Sequence, residues 1–158
     1  MLKIGDSIKD FGILKVVDSK SEREIEINDF KGKTTVLYFY PKDQTPGCVK
    51  EACSVRDSNS ELLAMGIQVL GVSGDDISSH IEFIKKYSLN FPLISDTERK
   101  LSLQVGAWGE KNLYGKIVVG MMRSTFIVGP DLKIIKVWER VRAEGHGEAI
   151  IEFLKSNK

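Results

Sequence analysis

Residues 38–53 constrain the fold of this 158-residue chain more than any other segment. An apolar, β-rich run over residues 36–40 ends at Pro41, and a short polar loop follows. Pro46 and Gly47 then open a segment in which apolar and small residues recur at a helical spacing, at Cys48, Ala52, Val55 and Leu62. Because proline suits the first turn of a helix, the pattern predicts a strand, a loop and a helix, with Cys48 in the first helical turn.

A thiol in the first turn of a helix is readily made reactive. Unpaired backbone N–H groups and the helix macrodipole favour negative charge there, so a thiolate is stabilised. An ordinary cysteine with a pKa of ~8.5 is already about 3% thiolate at pH 7, so full ionisation accelerates its reactions at most roughly thirty-fold. An efficient site must therefore also hold its substrate and stabilise developing charge with positioned donors. Thr45 supplies a hydroxyl three residues before the sulfur, whereas a cation has to come from elsewhere in the chain.

Pro41, Thr45 and Cys48 have the spacing Pro-x-x-x-Thr-x-x-Cys, which resembles the peroxidatic-cysteine motif of the peroxiredoxins. The longer string Tyr-Phe-Tyr-Pro-Lys-Asp-x-Thr-Pro-Gly-Cys-x-x-Glu-Ala-Cys resembles the PrxQ group, also called bacterioferritin comigratory protein, of the atypical 2-Cys type. The resemblance extends over essentially the whole chain, although Gln44 and Val49 are not the commonest residues at their positions. It implies an α/β, thioredoxin-like fold in which helices flank a central mixed β-sheet. It also implies an N-terminal β-hairpin extension and a single domain over residues 1–158.

The resemblance further implies a thiol-dependent peroxidase that reduces hydrogen peroxide and organic hydroperoxides in antioxidant defence. In that scheme the Cys48 thiolate becomes a sulfenic acid, and Cys53 resolves it as an intramolecular disulfide. Thioredoxin or a similar dithiol protein then reduces the disulfide by exchange. The scheme requires no cofactor, whether metal, haem or flavin, and members of this group are often monomers.

The same resemblance implies that Arg123 supplies the missing cation. The family carries an arginine just ahead of the strand that is predicted here from residue 124, and that arginine points at the peroxidatic sulfur. Taken alone, Arg123 would be interpreted as a solvated residue at a strand edge. Next to Cys48, its permanent charge and fixed N–H donors would favour the thiolate and bind the peroxide oxygens.

Three further residues have two interpretations each. Thr45 either contacts the substrate or caps the loop with its hydroxyl. Pro41 either shields the sulfur and fixes the loop, or simply ends the strand. Glu51, three positions after Cys48, either orients Arg123 or only favours the N-terminus of the helix. All three are candidate substrate-site residues.

The spacing of Cys48 and Cys53 has a geometric consequence. In an intact helix, positions i and i+5 lie roughly 7.5 Å apart along the axis and about 140° apart around it. Their Cα atoms are then roughly 8–9 Å apart, beyond the ~7 Å limit for a disulfide. If the two cysteines bond, the first turns of the helix must unwind. The alternative for Cys53 is a buried small residue without a redox role.

The rest of the chain alternates predicted strands and helices, which favours an α/β fold. We expect a hairpin or two short strands within residues 11–30, a buried strand at 67–72 and a helix that carries Ile77, Ile81, Ile84 and Tyr87. A short extended segment at 91–96 and a helix at 98–105 follow. Residues 107–120 are expected to form a long glycine-punctuated loop, in which Trp108 either packs beside the active site or fills the core. Two strands at 124–128 and 132–138 and a closing helix at 147–155 complete the chain.

Composition excludes several other classes of protein. The chain has 23 lysine and arginine residues and 22 acidic residues, for a net charge of +1. It has no stripe of basic residues, which argues against a nucleic-acid partner. No apolar run reaches the length of a membrane span, and no signal-peptide pattern begins the chain, so the expected location is the cytoplasm. His80 and His146 are isolated in the sequence, so we expect surface histidines and no metal site.

Two other functions share the fold. One is a thioredoxin-fold binding or holdase protein whose cysteines are incidental, which would not need the whole set of Pro41, Thr45, Cys48 and Arg123. The other is a general disulfide reductase. Reductases of thioredoxin type carry Cys-x-x-Cys facing a cis-proline, whereas this chain has Cys-x₄-Cys and Ser124-Thr125 where that proline would stand.

Overall fold

A computed structural model describes residues 1–157 of the chain. It contains nine strands and four α-helices within those residues, together with one turn of 3₁₀ helix at Ile27–Phe30. The strands are β1 (Leu14–Val17), β2 (Glu22–Ile25), β3 (Thr34–Phe39), β4 (Ile67–Ser73), β5 (Leu93–Ser95), β6 (Trp108–Leu113), β7 (Lys116–Met121), β8 (Ser124–Val128) and β9 (Ile134–Trp138). The helices are α1 (Pro46–Ala64), α2 (Ile77–Tyr87), α3 (Lys100–Val105) and α4 (His146–Ser156).

Seven of the strands form one mixed sheet in the order β2-β1-β5-β4-β3-β8-β9. Strand β4 lies parallel to both of its neighbours, β3 and β5, whereas β8, β9, β1 and β2 join antiparallel. Apolar residues of α1, α2 and α4 pack on one face of the sheet, and those of α3 and the N-terminal segment pack on the other. This architecture confirms the predicted thioredoxin-like fold. The N-terminal hairpin β1–β2 forms one edge of the sheet.

The central strand β3 and the helix α1 follow the predicted pattern. Both faces of β3 are covered, so residues 35–39 are all buried, as expected of a strand in the middle of a two-faced sheet. Helix α1 begins at Pro46 and buries Cys48, Ala52, Val55 and Leu62 against that strand. The helix ends at Met65, and Gly66 follows with a φ of 77°.

The prediction of a long loop at residues 107–120 was wrong. These residues form a separate two-stranded antiparallel sheet, β6–β7. Its turn is made by Tyr114 and Gly115, with φ of 53° and 82°, the positive values that a tight hairpin turn requires. Gly109 and Gly120 lie opposite each other in this hairpin and interrupt the alternation by which a strand is recognised. Within residues 1–157, no helix is long and apolar enough to cross a membrane.

Helix α2 contains the four predicted residues, but they do not all face the core. His80, Phe83 and Ile84 face the core, whereas Ile81 is 42% exposed. The expectation that both histidines lie on the surface was also wrong, because His80 and His146 are buried. Each is enclosed by polar partners, and hydropathy cannot reveal such a site.

Helix α4 packs directly on α1 through a glycine. A Cβ on Gly147 would lie 2.4 Å from the backbone oxygen of Ser54 and 2.5 Å from the hydroxyl of Ser58. The absent side chain lets the two helices touch, and the Gly147 amide donates a hydrogen bond of 2.9 Å to the Ser54 hydroxyl. The C-terminal helix is thereby attached to α1 immediately after Cys53.

Candidate active site

Cys48 lies in the first turn of α1, as predicted, and is only 1% exposed. Thr45 is the N-cap residue with an extended backbone, and Pro46 occupies the first helical position. The Thr45 hydroxyl donates a hydrogen bond of 2.8 Å to the Lys42 carbonyl oxygen. Since this bond uses the hydroxyl proton, the oxygen of Thr45 remains able to accept a hydrogen bond from a substrate. Pro41 is half-buried at the end of β3.

Strand pairing brings Arg123 to the same place. Strand β8 runs antiparallel to β3, with Ser124 opposite Phe39, so the residue just before β8 reaches the end of β3 where the loop to α1 begins. The Arg123 guanidinium donates a hydrogen bond of 2.8 Å from Nη1 to Oε1 of Glu51. A Cβ on Gly47 would lie 2.9 Å from Arg123 Nη2. The glycine therefore lets the guanidinium pass close over the first turn of α1.

The charges of this site depend on one another. Burial lowers the pKa of Arg123, but attraction to Cys48 and Glu51 outweighs it, so the pKa of Arg123 is raised. Burial raises the pKa of the Glu51 carboxyl to about 7, although attraction to Arg123 works in the opposite direction. The second oxygen of Glu51, Oε2, is buried and has no hydrogen-bond partner among the described residues.

Two buried neutral groups border these charges. Burial, together with the negative charges of Glu51 and Cys48, holds the pKa of Tyr38 well above its ordinary value. His146 lies 2.8 Å from the Thr125 hydroxyl through Nε2. Burial, followed by repulsion from Arg123, lowers the pKa of His146 to about 4, so its imidazole is neutral at pH 7. The charge of Arg123 acts on both groups, since it works to lower the pKa of each.

Cys53 has a different environment from Cys48. Both thiols are free, and Cys53 is partly exposed. It lines a cleft of about 610 Å³ between α1 and the start of α4, together with Lys50, Ser54 and Glu148. A second cleft, of about 740 Å³, has Arg123 and Met122 on its wall. The helical turn between the two cysteines therefore directs their side chains to different surroundings.

A buried polar cluster lies beside this site, and the sequence did not indicate it. Ligand atoms of Asp43, Asp75 and His80 lie within 4.8 Å of one another. However, Nδ1 of His80 is only 2.7 Å from Oδ2 of Asp43. Two ligands of one tetrahedral zinc ion would be roughly 3.3 Å apart, at bond lengths of about 2.0 Å. The distance is that of a charge-assisted hydrogen bond, so the cluster fits a hydrogen-bonded network better than a metal centre.

Trp108 and Arg56 each form contacts between parts of the fold. Trp108 is half-buried against the core on the α3 side of the sheet, with the Arg99 guanidinium 3.9 Å from its ring centroid. Arg56 bonds both Asp57 and the backbone oxygen of Tyr87 at the end of α2. These contacts tie secondary-structure elements together.

The chain is similar to known proteins over nearly its whole length. The AhpC/TSA family model matches residues 4–137. Peroxiredoxin Bcp of Escherichia coli strain K12 is 35% identical over 156 residues, which are 99% of this chain and 97% of that protein. The crystal structure of PrxQ from Xylella fastidiosa has a TM-score of 0.88 and 33% identity, and covers 99% of this chain and 97% of that one. The bacterioferritin comigratory protein of Xanthomonas campestris, which has alkyl peroxide reduction activity, has a TM-score of 0.83 and 35% identity, over 92% of this chain and 90% of that one.

The fold and these relatives together define a thiol-dependent peroxidase, an oxidoreductase with a thioredoxin-like sheet. The chain belongs to the AhpC/TSA family and, within it, to the peroxiredoxins of the Bcp group, also called PrxQ. The resemblance that was identified from the motif around Cys48 is thereby confirmed.

Glu51 and His146 make opposite contributions to the pH dependence of stability. The pKa of Glu51 is about 7 in the folded protein, against an ordinary 4.5. Its contribution to the unfolding free energy is therefore fully present below pH 4.5 and is lost as the pH rises through 7. The folded pKa of His146 is about 4 against 6.5, so its contribution is complete above pH 6.5 and is lost as pH falls towards 4. Each shift corresponds to at most about 3 kcal/mol of unfolding free energy.

We therefore expect Glu51→Gln and His146→Asn to change the pH profile in opposite directions. The unfolding free energy of Glu51→Gln, relative to the wild type, should increase as the pH rises from 4.5 to 7. That of His146→Asn, relative to the wild type, should decrease as the pH rises from 4 to 6.5. Urea denaturation at several pH values measures both differences. Variant curves that run parallel to the wild-type curve would contradict the prediction.

Proposed function

We propose that Cys48 is the peroxide-reducing residue of this peroxidase and that Cys53 is its resolving partner. The observation that supports this most directly is the position of Arg123. Its guanidinium lies against the first turn of α1, is bonded to Glu51 and attracts Cys48. A structural cysteine would need no permanent cation half-buried beside it.

In the proposed first step, the Cys48 thiolate attacks one oxygen of the peroxide. The S–O bond forms as the O–O bond breaks, and two electrons pass from sulfur to oxygen. The product is a sulfenic acid, and the leaving oxygen takes a proton to become water or an alcohol. Arg123 donates N–H groups to the peroxide oxygens while charge moves onto the leaving one. Thr45 accepts from the peroxide O–H, Pro41 shields the sulfur, and Glu51 orients Arg123.

In the proposed second step, Cys53 attacks the sulfenic sulfur, and water leaves as the Cys48–Cys53 disulfide forms. Helix α1 is continuous from Pro46 to Ala64, so this bond requires unwinding of its first turns. A dithiol protein of thioredoxin type then reduces the disulfide by exchange and becomes oxidised itself. The substrates we propose are hydrogen peroxide and organic hydroperoxides, in line with the alkyl peroxide activity of the Xanthomonas relative. We propose that the protein acts as a single-domain monomer in the cytoplasm, in antioxidant defence.

Oxidation by one equivalent of hydrogen peroxide tests both cysteine roles. The reduced protein should lose two hydrogens within seconds, because the disulfide forms. Cys53→Ser should instead gain one oxygen, because the sulfenic acid cannot be resolved, and Cys48→Ser should remain unchanged. Intact-protein mass spectrometry distinguishes the three products. Slow reaction with peroxide together with rapid reduction of insulin disulfides would identify a disulfide reductase instead.

Substitution of Arg123 tests the role of the cation. Arg123→Met removes charge and donors, and the second-order rate constant for peroxide should fall roughly 100- to 1,000-fold, as for the loss of a donor to developing charge. Arg123→Lys keeps the charge but not the planar fork, and it should recover only part of the rate. Stopped-flow fluorescence measures the rates, with Arg142→Met as an exposed-arginine control. Equal rates in Arg123→Met and the control would overturn this assignment.

Amide hydrogen exchange tests the unwinding. In the oxidised protein, residues 46–53 should lose protection, while the part of α1 after Ser54 should keep it, because α4 holds that part. Cys53→Ala serves as the control, since it cannot form the bond. A disulfide-bonded protein whose residues 46–53 remain protected would contradict the proposal.

A further inference from the structure

The loop that carries Thr45 is attached to the protein through a buried Asp–His pair that the mechanism above does not use. Asp43 lies in this loop, between Pro41 and Thr45, and its side chain is 2% exposed. His80, on α2, is completely buried and approaches Asp43 Oδ2 to 2.7 Å through Nδ1. Residues 37 positions apart are thereby joined at the entrance to α1.

Both members of the pair form further hydrogen bonds. The other ring nitrogen of His80, Nε2, lies 3.0 Å from the backbone oxygen of Ile94. A carbonyl oxygen can only accept, so Nε2 carries a proton. Asp43 Oδ1 accepts from the Tyr40 hydroxyl at 2.6 Å, and Oδ2 also accepts from the Ser79 hydroxyl at 2.8 Å. Asp43 is therefore held by three side chains, those of His80, Tyr40 and Ser79.

The backbone of the loop is held as well. The Asp43 amide donates to Oδ2 of Asp75 at 2.8 Å, and the Ser73 hydroxyl donates to the same oxygen at 2.6 Å. The loop is thus fixed to the end of β4 and to the start of α2 by both its main chain and its side chain.

The next residue shows what this attachment holds in place. Gln44 has a φ of 61°, in the left-handed region that residues with a side chain rarely adopt. Such a conformation persists only where the surrounding structure imposes it. Gln44 joins Asp43 to Thr45, so its backbone angles determine where the Thr45 hydroxyl and the first turn of α1 lie relative to the end of β3.

We propose that Asp43 and His80 are positioning residues that hold Gln44 left-handed and thereby keep Thr45 and Cys48 in the arrangement that reacts with peroxide. The proposal rests on the function proposed above, since it concerns the geometry of the same site. It goes further by extending the reactive unit to α2, whose residues do not touch the substrate.

The test compares two reactions of the same sulfur. The variants His80→Gln and Asp43→Asn disrupt the pair. Ser79→Ala removes only one hydrogen bond, from the half-buried edge of the network, and leaves the rest of the protein folded. Reaction with hydrogen peroxide needs the positioned site, whereas alkylation of Cys48 by iodoacetamide needs only an accessible thiolate. Both rates are measured on protein that urea titration shows to be folded, in a Cys53→Ser background so that Cys48 reacts alone.

We expect the peroxide rate constant to fall about 100-fold in His80→Gln and Asp43→Asn, since small displacements of reacting groups have effects of that order. The alkylation rate should stay within about threefold of wild type, and Ser79→Ala should lose roughly tenfold or less in the peroxide reaction. The control is Asn59→Ala. Asn59 lies further along α1, and its buried side chain is hydrogen-bonded to Asn90. It should lower stability without changing either rate.

A second substitution tests the role assigned to Gln44. Glycine adopts the left-handed conformation without steric cost, so Gln44→Gly should recover part of the peroxide rate in the His80→Gln background. Absence of recovery overturns the proposal, as do peroxide rates within threefold of wild type in His80→Gln and Asp43→Asn. Parallel loss of both reactions in these variants would also overturn it, because it indicates general disruption. A wild-type protein that does not react with peroxide through Cys48 would refute the proposed function, whereas the variant results bear on the positioning role alone.

Discussion

Arg123 brings a permanent positive charge into a half-buried position, and the negative groups of one helix make this possible. Glu51 bonds the guanidinium directly, and Cys48 attracts it from one turn earlier in α1. An unpaired charge at this depth would be costly, so the pairing fixes β8 against the N-terminus of α1. It also accounts for Gly47, because a side chain there would meet the guanidinium. The contacts that fix β8 against α1 are therefore those of the proposed reactive site.

The surrounding groups limit how many charges the site carries. His146 is neutral at pH 7 because burial and Arg123 both disfavour its protonation, and Tyr38 remains a neutral phenol. On the other side of the loop, Asp43 and His80 bond each other. Arg123 thus lies beside Cys48 and Glu51, with the neutral His146 and Tyr38 next to them. Electrostatic stabilisation is strong in such surroundings, because little solvent screens it.

The parts of this structure that were predictable from the sequence are those that local patterns specify. Pro46 and Gly47 placed the start of α1, and the spacing from Cys48 to Leu62 gave its buried face. The position of Arg123 required the resemblance to a family, because the pairing of β8 with β3 is not local. The hairpin β6–β7 was missed since glycines interrupt its alternation.

His80 shows where hydropathy fails. The isolated His80 was expected on the surface, yet it is buried in α2, whereas the apolar Ile81 beside it is 42% exposed. The acceptors that make this favourable, Asp43 and the Ile94 carbonyl, come from a distant loop and a neighbouring strand. No window along the sequence contains these partners together, so a buried polar network of this kind becomes visible only in three dimensions.

The contact between Gly147 and Ser54 divides α1 into two regions of different local stability. From Ser54 onwards the helix is attached to α4, through the hydrogen bond from the Gly147 amide to the Ser54 hydroxyl. Residues 46–53, the eight helical residues before Ser54, lie outside that attachment. Opening of this short segment leaves the junction with α4 intact, so it costs much less free energy than global unfolding. Such a boundary would let the two sulfurs meet through a subglobal fluctuation, while the hydrophobic layer beneath the rest of the helix stays closed to water.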